Sequence, residues 1–434
     1  ELVMTNSNSS DLRSSPATVS VTGLGYVGMP LALALAKHVN VVAFDVSEHA
    51  INRLMHCAEQ AQNIIASTNP QSLQAALFHI IAVPTPTSLG KPDLSHLIEA
   101  CHSLGPQLHN GSVVVIESTV YPGVTEEICC PIRENTSGLS CGIDVKIAYC
   151  TERVNVGDTE HSFDQVYKVI SGVDAETIER VMDIYGLMQT GGFYLAKSIR
   201  DAELIKVAEN TQRDLNIAFM NTLARYSHFT GNIDLSDVIA GMNTKWNALH
   251  YYPGLVGGHC IGVDTNYLID HFAQIGFQDD LLKVARKAND SMVEFVFDKI
   301  LYGMREAGLD PIKTTVAFFG VAFKRDCDDT RNSKSLKLAK LIKKLGCSIV
   351  LVDPLLNNRQ IEDLGKVVSR LDPGTYVDVA IISSFHKCFA NYTVNKMRTI
   401  LRPPAGILFD LENCFEKECV VEKGITYWSL AKQS

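Results

Sequence analysis

Short apolar runs alternate with longer helical patterns along the first 200 residues of the chain. Five runs have the length and composition of strands: residues 18–22, 39–44, 78–83, 111–117 and 145–149. Helical patterns separate these runs, and the first extends from residue 29 to residue 37. Continuous apolar strands that alternate with helices are typical of a parallel sheet covered on both faces. This part of the chain therefore predicts a doubly wound α/β domain.

The pattern changes near residue 200 and returns near residue 313. Apolar positions keep a helical period across residues 200–230, which predicts one long helix. A second alternation predicts strands at residues 314–319, 347–352, 379–383 and 406–411. We therefore expect four parts: a flexible tail over 1–16, an α/β domain over 17–199, a helical domain over 200–300 and a second α/β domain over 301–434.

Composition narrows the class of protein. The 434 residues are 46% hydrophobic and 20% charged, which is ordinary for a globular protein and excludes a disordered chain. No apolar run reaches the ~18 residues of a membrane helix, and the net charge of −9 disfavours a nucleic-acid partner. The twelve cysteines lack CxxC spacings, and no secretory signal is visible. We expect reduced thiols, at most one or two of them functional, a cytoplasmic location and no metal.

A glycine-rich turn follows the first predicted strand and opens the first helix. It has GxGxxG spacing and consists of Gly23, Leu24, Gly25, Tyr26, Val27 and Gly28. The first glycine permits a tight turn, the second lets a pyrophosphate approach the backbone, and the third lets helix and strand pack closely. N–H groups at the helix start favour a phosphate. The turn therefore predicts a dinucleotide site, the alternative being a glycine-rich turn without a ligand.

Three residues at strand ends extend this prediction. Asp45 ends the second strand, 22 residues after Gly23, where dinucleotide-binding folds place an acidic residue. Its carboxylate would accept hydrogen bonds from ribose hydroxyls and repel a 2′-phosphate, so NAD is favoured over NADP. Thr85 and Thr119 also follow strands, and ligands of open parallel sheets bind outside these ends. Both threonines are candidate ligand contacts, or else ordinary loop residues.

A second glycine-rich loop surrounds Cys260. Gly257 and Gly258 free the backbone to approach a ligand, and a thiolate attacks a carbonyl carbon well. Cys260 is therefore a candidate nucleophile, although most cysteines are small buried hydrophobic residues. His259 is interpreted as a structural or ligand-contacting residue rather than a general base.

Polar residues on the long helix are the next candidates. The spacing of Lys206, Asn210 and Arg213 places all three on one helix face. A lysine and an amide on one stripe would hold a developing alkoxide and a water, whereas the alternative is a solvated polar face. Glu152 follows a strand end and is a candidate general base, or a surface acid paired with Arg153.

The chain resembles the UDP-glucose/GDP-mannose dehydrogenase family over residues 18–428. Seven stretches carry the resemblance: GLGYVGMPLA (23–32), VPTP (83–86), ESTVYPGVTEE (117–127), ENTQRDLNIA (209–218), TKWN (244–247), PGLVGGHCIGVD (253–264) and FKRDCDDTRNS (323–333). The resemblance implies two Rossmann-like doubly wound domains joined by a long central helix. The first would bind NAD, the central helix would form a homodimer, and the C-terminal domain would bind a UDP sugar.

The resemblance also implies a four-electron oxidation of a sugar C6 alcohol to the carboxylate, with two NAD+ reduced. Within the family, the sequence around Cys260 favours a UDP-N-acetylhexosamine as substrate, UDP-N-acetylglucosamine before UDP-N-acetylgalactosamine. The product would serve surface polysaccharide synthesis. Asn266 stands where the family has an aromatic residue, so UDP-glucose and UDP-N-acetylmannosamine stay alternatives. A non-catalytic nucleotide-binding regulatory protein is a further alternative. It predicts that Cys260, Lys206 or Glu152 is replaced by another residue type, whereas all three are present.

The family motifs imply roles for residues of this chain. Cys260 would form a thiohemiacetal and then a thioester, which Glu152 would help to hydrolyse as general base. Lys206 and Asn210 would stabilise the oxyanion. Water and proton transfer would be organised by Asp264 and Thr119.

Binding residues follow from the same motifs. Arg331 matches a family residue that reaches the NAD site across the interface between domains, and Lys324 matches a UDP-sugar contact. The residues expected to contact substrate are Glu152, Arg153, Lys206, Asn210, Arg213, Gly257 and Lys324.

Overall fold

The computed structural model describes residues 18–58, 63–88, 90–153, 164–258, 260–356, 361, 363–372, 374–404 and 406–432. The predicted tail over 1–16 and His259 lie outside the described residues. The chain divides into two compact units. Unit 1 comprises Glu1–Glu209 and Asn266–Phe277, and unit 2 comprises Asn210–Thr265 and Gln278–Ser434. The four domain boundaries expected from the sequence stay predictions.

Ten strands lie in the described part of unit 1. They are β1 (Thr18–Thr22), β2 (Asn40–Phe44), β3 (Ile64–Ser67), β4 (Phe78–Ile81), β5 (Thr87–Ser88), β6 (Lys91–Pro92), β7 (Val113–Ile116), β8 (Lys146–Cys150), β9 (Lys168–Gly172) and β10 (Phe193–Leu195). Eight form one sheet in the order β10-β9-β8-β7-β4-β1-β2-β3, and β5 pairs with β6 as a separate hairpin. The order around β1 is the one typical of dinucleotide-binding sheets.

One pairing differs from a wholly parallel sheet. β9 runs antiparallel to β8, and β10 runs parallel to β9. A parallel neighbour needs a crossover connection, usually a helix, whereas an antiparallel one does not. The described residues between β8 and β9, which are 151–153 and 164–167, form no helix.

Helices cover both faces of the unit 1 sheet. They are α1 (Gly28–Leu35), α2 (Glu48–Cys57), α3 (Ser95–Leu104), α4 (Cys130–Ser137), α5 (Ala175–Gly186) and the first part of α6 (Ile199–Thr230). Ser47 and Asp174 begin α2 and α5 by accepting hydrogen bonds from backbone N–H groups of the first turn. Val21, Ile80 and Val115 from the central strands are fully buried and form much of the core.

Unit 2 contains a second sheet whose six described strands are all parallel. They are β11 (Thr315–Phe319), β12 (Ser348–Val352), β13 (Lys366–Val368), β14 (Val379–Ile382), β15 (Ile407–Asp410) and β16 (Thr426–Ser429), in the order β13-β12-β11-β14-β15-β16. This order repeats the arrangement around β1 in unit 1. Successive residues of β11 point to opposite faces, so Val316 and Phe318 enter one core while Ala317 and Phe319 enter another. The prediction of two doubly wound domains and a long helix is confirmed.

The remaining helices are α7 (Leu235–Asn243), α8 (Ile261–Gln274), α9 (Leu281–Asp290), α10 (Met292–Glu306), α11 (Lys334–Lys344), α12 (Val394–Ile400) and α13 (Lys417–Glu422). α8 begins in unit 2 and ends in unit 1. None of the described helices combines the length and the apolar character needed to cross a membrane.

Candidate functional site

The glycine-rich turn after β1 has the geometry that its sequence requires. Gly23 adopts a φ of +92°, and its N–H donates to the carbonyl of Phe44 at 2.9 Å. A Cβ at Gly28 would overlap the Gly23 carbonyl, whereas a Cβ at Gly25 would meet nothing within 4 Å. Gly25 therefore leaves the backbone open to a ligand, and Gly28 is needed for packing. Tyr26 and Val27 lead directly into α1.

Asp45 lies at the end of β2, against the same turn. Its carboxylate accepts from the N–H of Leu24 at 2.7 Å and from the N–H of Ser47 at 2.8 Å. These bonds fix the carboxylate beside the glycines while leaving lone pairs for ribose hydroxyls. No acidic residue stands in the first turn of α1, all of which is described, so its N-terminus suits a pyrophosphate. The residues present thus fit a bound NAD.

The loops after β4 and β7 are joined at the carboxyl edge of the unit 1 sheet. Thr85 donates through Oγ1 to the carbonyl of Thr119 at 2.7 Å, and Ser118 donates to the carbonyl of Val83 at 2.7 Å. The hydroxyl of Tyr267 donates to the carbonyl of Thr85 at 2.7 Å. The structure therefore brings the two predicted threonines together at the edge where ligands of such sheets bind.

A buried carboxylate of α6 holds the segment that follows Thr119. Glu203 is fully buried, and its two oxygens accept from the N–H of Gly123 at 2.6 Å and the N–H of Thr125 at 2.9 Å. Burial raises the pKa of Glu203 to about 7, although these donors oppose the shift. Glu203 was not among the residues predicted from the sequence. A glutamate among apolar positions of the helix was the available signal.

A charged cluster lies beneath the glycine-rich turn in unit 1. Glu117 is buried, forms an ion pair with Lys168 and accepts a hydrogen bond from the hydroxyl of Tyr185. These side chains line a small cavity with Glu152 and Arg153 and with two residues of α1. The sequence analysis also missed this cluster, because Lys168 and Tyr185 lie far from Glu117 along the chain. Only the acidic end of the apolar run in β7 marked Glu117 as unusual.

The predicted polar face of α6 is partly buried. Lys206 is 7% exposed, Asn210 is half-buried and Arg213 is exposed, so the solvated alternative fits only the last. Lys206 belongs to unit 1, whereas Asn210 and Arg213 belong to unit 2. Arg153, also in unit 1, forms an ion pair with Glu209 and donates to the carbonyl of Tyr167 at 3.0 Å.

Cys260 stands at the beginning of α8 in unit 2. Its carbonyl accepts the first helical hydrogen bonds, from the N–H of Val263 at 3.1 Å and that of Asp264 at 2.8 Å. The side chain is half-buried, and the N–H dipoles at a helix start favour a thiolate. Asp264 is 2% exposed, and its carboxylate accepts from the amide of Asn210 at 2.6 Å. Asp264 is thus one helical turn from the candidate nucleophile, and Asn210 is hydrogen-bonded to Asp264.

The loop before Cys260 rests on a segment of unit 2 that is distant in sequence. Gly258 has a φ of +85°, and a Cβ there would lie 2.5 Å from the Phe323 ring. A Cβ at Gly257 would lie 2.8 Å from the carbonyl of Asn332, whose amide donates to the carbonyl of Gly258 at 3.3 Å. The glycine pair is therefore required for close packing of two of the family-like motifs.

Lys324 follows the carboxyl end of β11, at the position in unit 2 that corresponds to the glycine-rich turn of unit 1. Gly320 has a φ of +73°, and the N–H of Val321 donates to the carboxylate of buried Asp353 at 2.8 Å. His386 pairs with the same carboxylate at 3.2 Å. This arrangement repeats the contact between Leu24 and Asp45. Lys324 is consequently placed at a carboxyl edge where ligands of parallel sheets bind.

Arg331 is half-exposed and forms a bidentate ion pair with Asp329 at 2.7–3.1 Å. Its predicted reach to the NAD site stays a prediction. No group of three or more His, Cys, Asp or Glu side chains within the described ranges has a metal-binding arrangement.

A buried polar network connects α6, α9 and the loop before Cys260 within unit 2. Asp214 is fully buried and accepts from the guanidinium of Arg286 at 2.5 Å and from the amide of Asn289 at 2.7 Å. Asn289 also accepts from Asn221, which exchanges two hydrogen bonds with the backbone of Gly254 at 2.9 and 3.0 Å. The network was not predicted. The only sequence signal for this network was the seven-residue spacing of Asp214 and Asn221, which places both on one face of the helix.

Three family models match the chain. The NAD binding domain of the UDP-glucose/GDP-mannose dehydrogenase family matches residues 17–189. The central domain of that family matches residues 200–291, and its UDP binding domain matches residues 317–417.

Individual proteins match over nearly the whole chain. Protein CapL from Staphylococcus aureus is 37% identical over 413 residues, which cover 92% of this chain and 96% of that protein. UDP-N-acetyl-D-glucosamine 6-dehydrogenase from Salmonella typhi is 36% identical over 407 residues, covering 91% and 95%. Among solved structures, UDP-D-ManNAc dehydrogenase from Pyrococcus horikoshii superimposes with a TM-score of 0.82 at 27% identity, covering 95% and 99%.

We expect Glu203 to make stability depend on pH. The pKa of Glu203 is about 7 in the folded chain and 4.5 in the unfolded chain, so the folded chain keeps the carboxyl proton to a higher pH. The contribution to stability is thus full below pH 4.5 and is lost as pH rises to 7, by about 3 kcal/mol. Calorimetry gives the free energy of unfolding of the wild type and of Glu203→Gln between pH 4.5 and pH 7. The difference between the two proteins measures the contribution of Glu203. Glu99→Gln, at an exposed glutamate of α3 in the same unit, serves as control. A difference between wild type and Glu203→Gln that is flat or grows with pH would contradict the expectation.

Replacing Asp214 with asparagine should destabilise unit 2. The substitution preserves shape but leaves buried Arg286 without its principal counter-charge, at a cost of about 3 kcal/mol. Both tryptophans, Trp246 and Trp428, belong to unit 2, so their fluorescence reports its thermal unfolding. We expect the midpoint to fall by roughly 6–12 °C.

Asp290→Asn is the matched control, because Asp290 pairs with the same arginine but is half-exposed. Its loss should cost less than about 1 kcal/mol. Equal shifts for the two variants would show that burial of the pair is not the source of the effect.

Proposed function

The chain belongs to the UDP-glucose/GDP-mannose dehydrogenase family, and we propose that it oxidises UDP-N-acetylglucosamine at C6 to the uronic acid. Family membership and NAD as cofactor confirm two predictions made from the sequence. The chain is an NAD-dependent UDP-sugar dehydrogenase. The exact sugar, the cysteine mechanism and a role in surface polysaccharide synthesis belong to the proposal.

The relatives favour an acetamido sugar. The protein from Salmonella typhi is named a UDP-N-acetyl-D-glucosamine 6-dehydrogenase, at 36% identity, and so is one from Pseudomonas aeruginosa, also at 36%. Relatives named as UDP-N-acetyl-D-mannosamine dehydrogenases are 28–30% identical. The higher identity therefore supports UDP-N-acetylglucosamine over the C2 epimer. UDP-N-acetylgalactosamine is the next candidate.

The single observation that carries the mechanism is the placement of Cys260 at the start of α8, one turn before Asp264, which is hydrogen-bonded to Asn210. Bound NAD+ supplies the hydride acceptor, once for each of the two oxidation steps. The Cys260 thiolate adds to the C6 aldehyde and retains it as a thiohemiacetal. Oxidation at this carbon leaves a thioester, which water hydrolyses to release the uronate.

The Asn210 amide serves this chemistry by holding Asp264 in one orientation. Its hydrogen bond fixes the orientation of a carboxylate that would accept a proton or orient water. Asp264 is almost fully buried, so its charge acts in a medium of low polarity, where such an interaction is stronger than in water. We assign Asp264 to positioning water near C6.

Residues of unit 1 supply the other proposed functions. Lys206 is buried and cationic, which suits the stabilisation of a developing oxyanion. Glu152 lines a cavity beside the glycine-rich turn and is proposed as the base for thioester hydrolysis. Thr119, held by Thr85, lies at the NAD-binding edge of the same unit. These roles rest on the family-like motifs.

The nucleotide is assigned to unit 2. Lys324 stands at the carboxyl edge of the second sheet and would neutralise the diphosphate, with Gly257 and Arg213 as further contacts. The predicted homodimer has support from exposed aromatic residues on α6, Phe219, Tyr226 and Phe229. The homodimer and the cytoplasmic location stay predictions.

The stoichiometry of NADH tests the proposed reaction. With limiting sugar, we expect two NADH per UDP-N-acetylglucosamine, and slower turnover of UDP-N-acetylgalactosamine, UDP-N-acetylmannosamine and UDP-glucose. One NADH per sugar would contradict the four-electron reaction. NAD binding without turnover of any of the four sugars would favour the regulatory alternative.

Cys260→Ala completes this test. Uronate formation should fall by at least about 1000-fold, because the variant has no thiol to retain the aldehyde. Cys388→Ala, at an exposed cysteine of the same unit, should leave the rate unchanged. Continued conversion of alcohol to acid by Cys260→Ala would exclude the thiohemiacetal.

Asp45 should determine the preference for NAD over NADP. Asp45→Asn keeps the shape of the side chain but removes the charge that repels a 2′-phosphate. The ratio of kcat/KM for NAD to that for NADP should fall roughly tenfold or more. Glu48→Gln, at an exposed acid that begins α2, is the control and should preserve the ratio. An unchanged ratio in Asp45→Asn would exclude charge repulsion as the cause.

A further inference from the structure

Four of the twelve cysteines meet in unit 1, outside the proposed catalytic machinery. Cys101 belongs to α3, Cys129 ends a π-helical turn, Cys130 begins α4 and Cys141 follows α4 in a loop. Cys130 and Cys141 are neighbours, since the Cys141 thiol lies 3.7 Å from the Cys130 carbonyl oxygen. All twelve cysteines are described, and none forms a disulfide. The group also lacks an arrangement suited to a metal.

A buried arginine lies among these sulfurs. Arg133 is 0% exposed, and its Nη2 donates to the sulfur of Cys130 at 3.5 Å. Within the part of the chain that the structure describes, its Nε and Nη1 have no hydrogen-bond partner. A buried cation without a counter-charge costs several kcal/mol, so the surroundings must supply negative charge. The guanidinium is hydrogen-bonded to the Cys130 sulfur, and a thiolate at that sulfur would compensate the positive charge.

Cys130 is best placed to be that thiolate. It contacts the guanidinium directly and is half-buried, whereas Cys101 and Cys129 are fully buried. The hydrogen bond from the Cys141 thiol lowers the pKa of Cys130 to about 7, and Arg133 adds to this effect against the opposing effect of burial. The pKa of Cys129 is instead raised by its hydrogen bond to Cys101 and by burial.

Cys141 is placed to react with an oxidised Cys130. Its thiol lies 3.7 Å from the carbonyl oxygen of Cys130. Its backbone N–H is held by the carboxylate of Glu134 at 2.8 Å, which fixes the loop beside α4. Cys141 is also half-buried, so an oxidant reaches this pair more readily than the inner pair.

We propose that Cys130 and Cys141 form a redox-active pair, in which Cys130 is oxidised by a hydroperoxide and Cys141 resolves it to a disulfide. The Cys130 thiolate attacks the terminal oxygen, the O–O bond breaks, and water or an alcohol leaves with a proton from solvent. The sulfur of Cys141 then attacks the sulfenic acid, whose hydroxide leaves as water with the Cys141 proton. The two sulfurs lose two electrons, and the peroxide gains them.

Peptide mapping of the full-length protein tests the proposal. The protein is treated with one equivalent of hydrogen peroxide at pH 7, alkylated with N-ethylmaleimide, and digested with trypsin and Glu-C without reduction. Cleavage after Glu127, Arg133, Glu134 and Lys146 separates the peptide of Cys129 and Cys130 from the peptide of Cys141. We expect these peptides to be joined after oxidation and separate after dithiothreitol.

Variants identify the sulfurs and the role of the arginine. Cys130→Ser and Cys141→Ser should each abolish the joined peptide, whereas Cys129→Ser and Cys101→Ser should retain it. Arg133→Met should slow alkylation of Cys130 at pH 7 by at least about tenfold, because less of its thiol is ionised. In the wild type, the alkylation rate should rise with pH around a midpoint near 7. This profile tests the thiolate even if Arg133→Met does not fold.

Two results would overturn the proposal. One is complete alkylation of Cys141 after peroxide treatment that has oxidised Cys260 or an exposed cysteine such as Cys388. The other is a joined peptide that survives Cys130→Ser but is lost in Cys129→Ser, which would assign the reactive thiol to the inner pair.

Discussion

A carboxylate buried in a protein must be supplied with donors, and the long helix α6 carries two of them. Glu203 in unit 1 accepts hydrogen bonds from the N–H groups of Gly123 and Thr125. Asp214 in unit 2 accepts hydrogen bonds from the side chains of Arg286 and Asn289. Leaving either carboxylate unsatisfied would cost several kcal/mol. Glu203 therefore fixes the segment that follows Thr119, which contains Gly123 and Thr125. The network around Asp214 fixes the loop before Cys260 through Asn289 and Asn221.

The two Rossmann-like units have the same turn at the carboxyl edge of the sheet. A strand ends in a glycine of positive φ, and the next N–H is received by an aspartate from the neighbouring strand. Leu24 donates to Asp45 in unit 1, and Val321 donates to Asp353 in unit 2. In both cases this hydrogen bond holds the turn without a ligand, which reduces the ordering cost of binding a nucleotide. The redox pair proposed around Arg133 lies apart from these edges and adds a thiol chemistry that the dehydrogenase reaction does not use.

Sequence reasoning reached most of the fold, because its signals are local. The glycine spacing at 23–28 and the apolar runs of β1, β4 and β11 each report on their own backbone. It also proposed Asp45 and Thr119, which follow predicted strands, and Cys260, which lies in a glycine-rich loop; their roles stay predictions. It did not find the partners of buried charges. Lys168 reaches Glu117 across 51 residues, and the sulfurs around Arg133 come from three separate segments.

The sequence by itself determined where strands and helices form, which turns need glycine and which residues resemble a dehydrogenase motif. These features depend on side-chain period and backbone sterics within a few residues. The tertiary structure decided which polar groups are buried, and hence which must be paired. It turned Lys206 into a buried cation, Asp214 into the centre of a network and Cys130 into the partner of Arg133. Burial is a property of the assembled core, because it depends on residues brought together from distant parts of the chain.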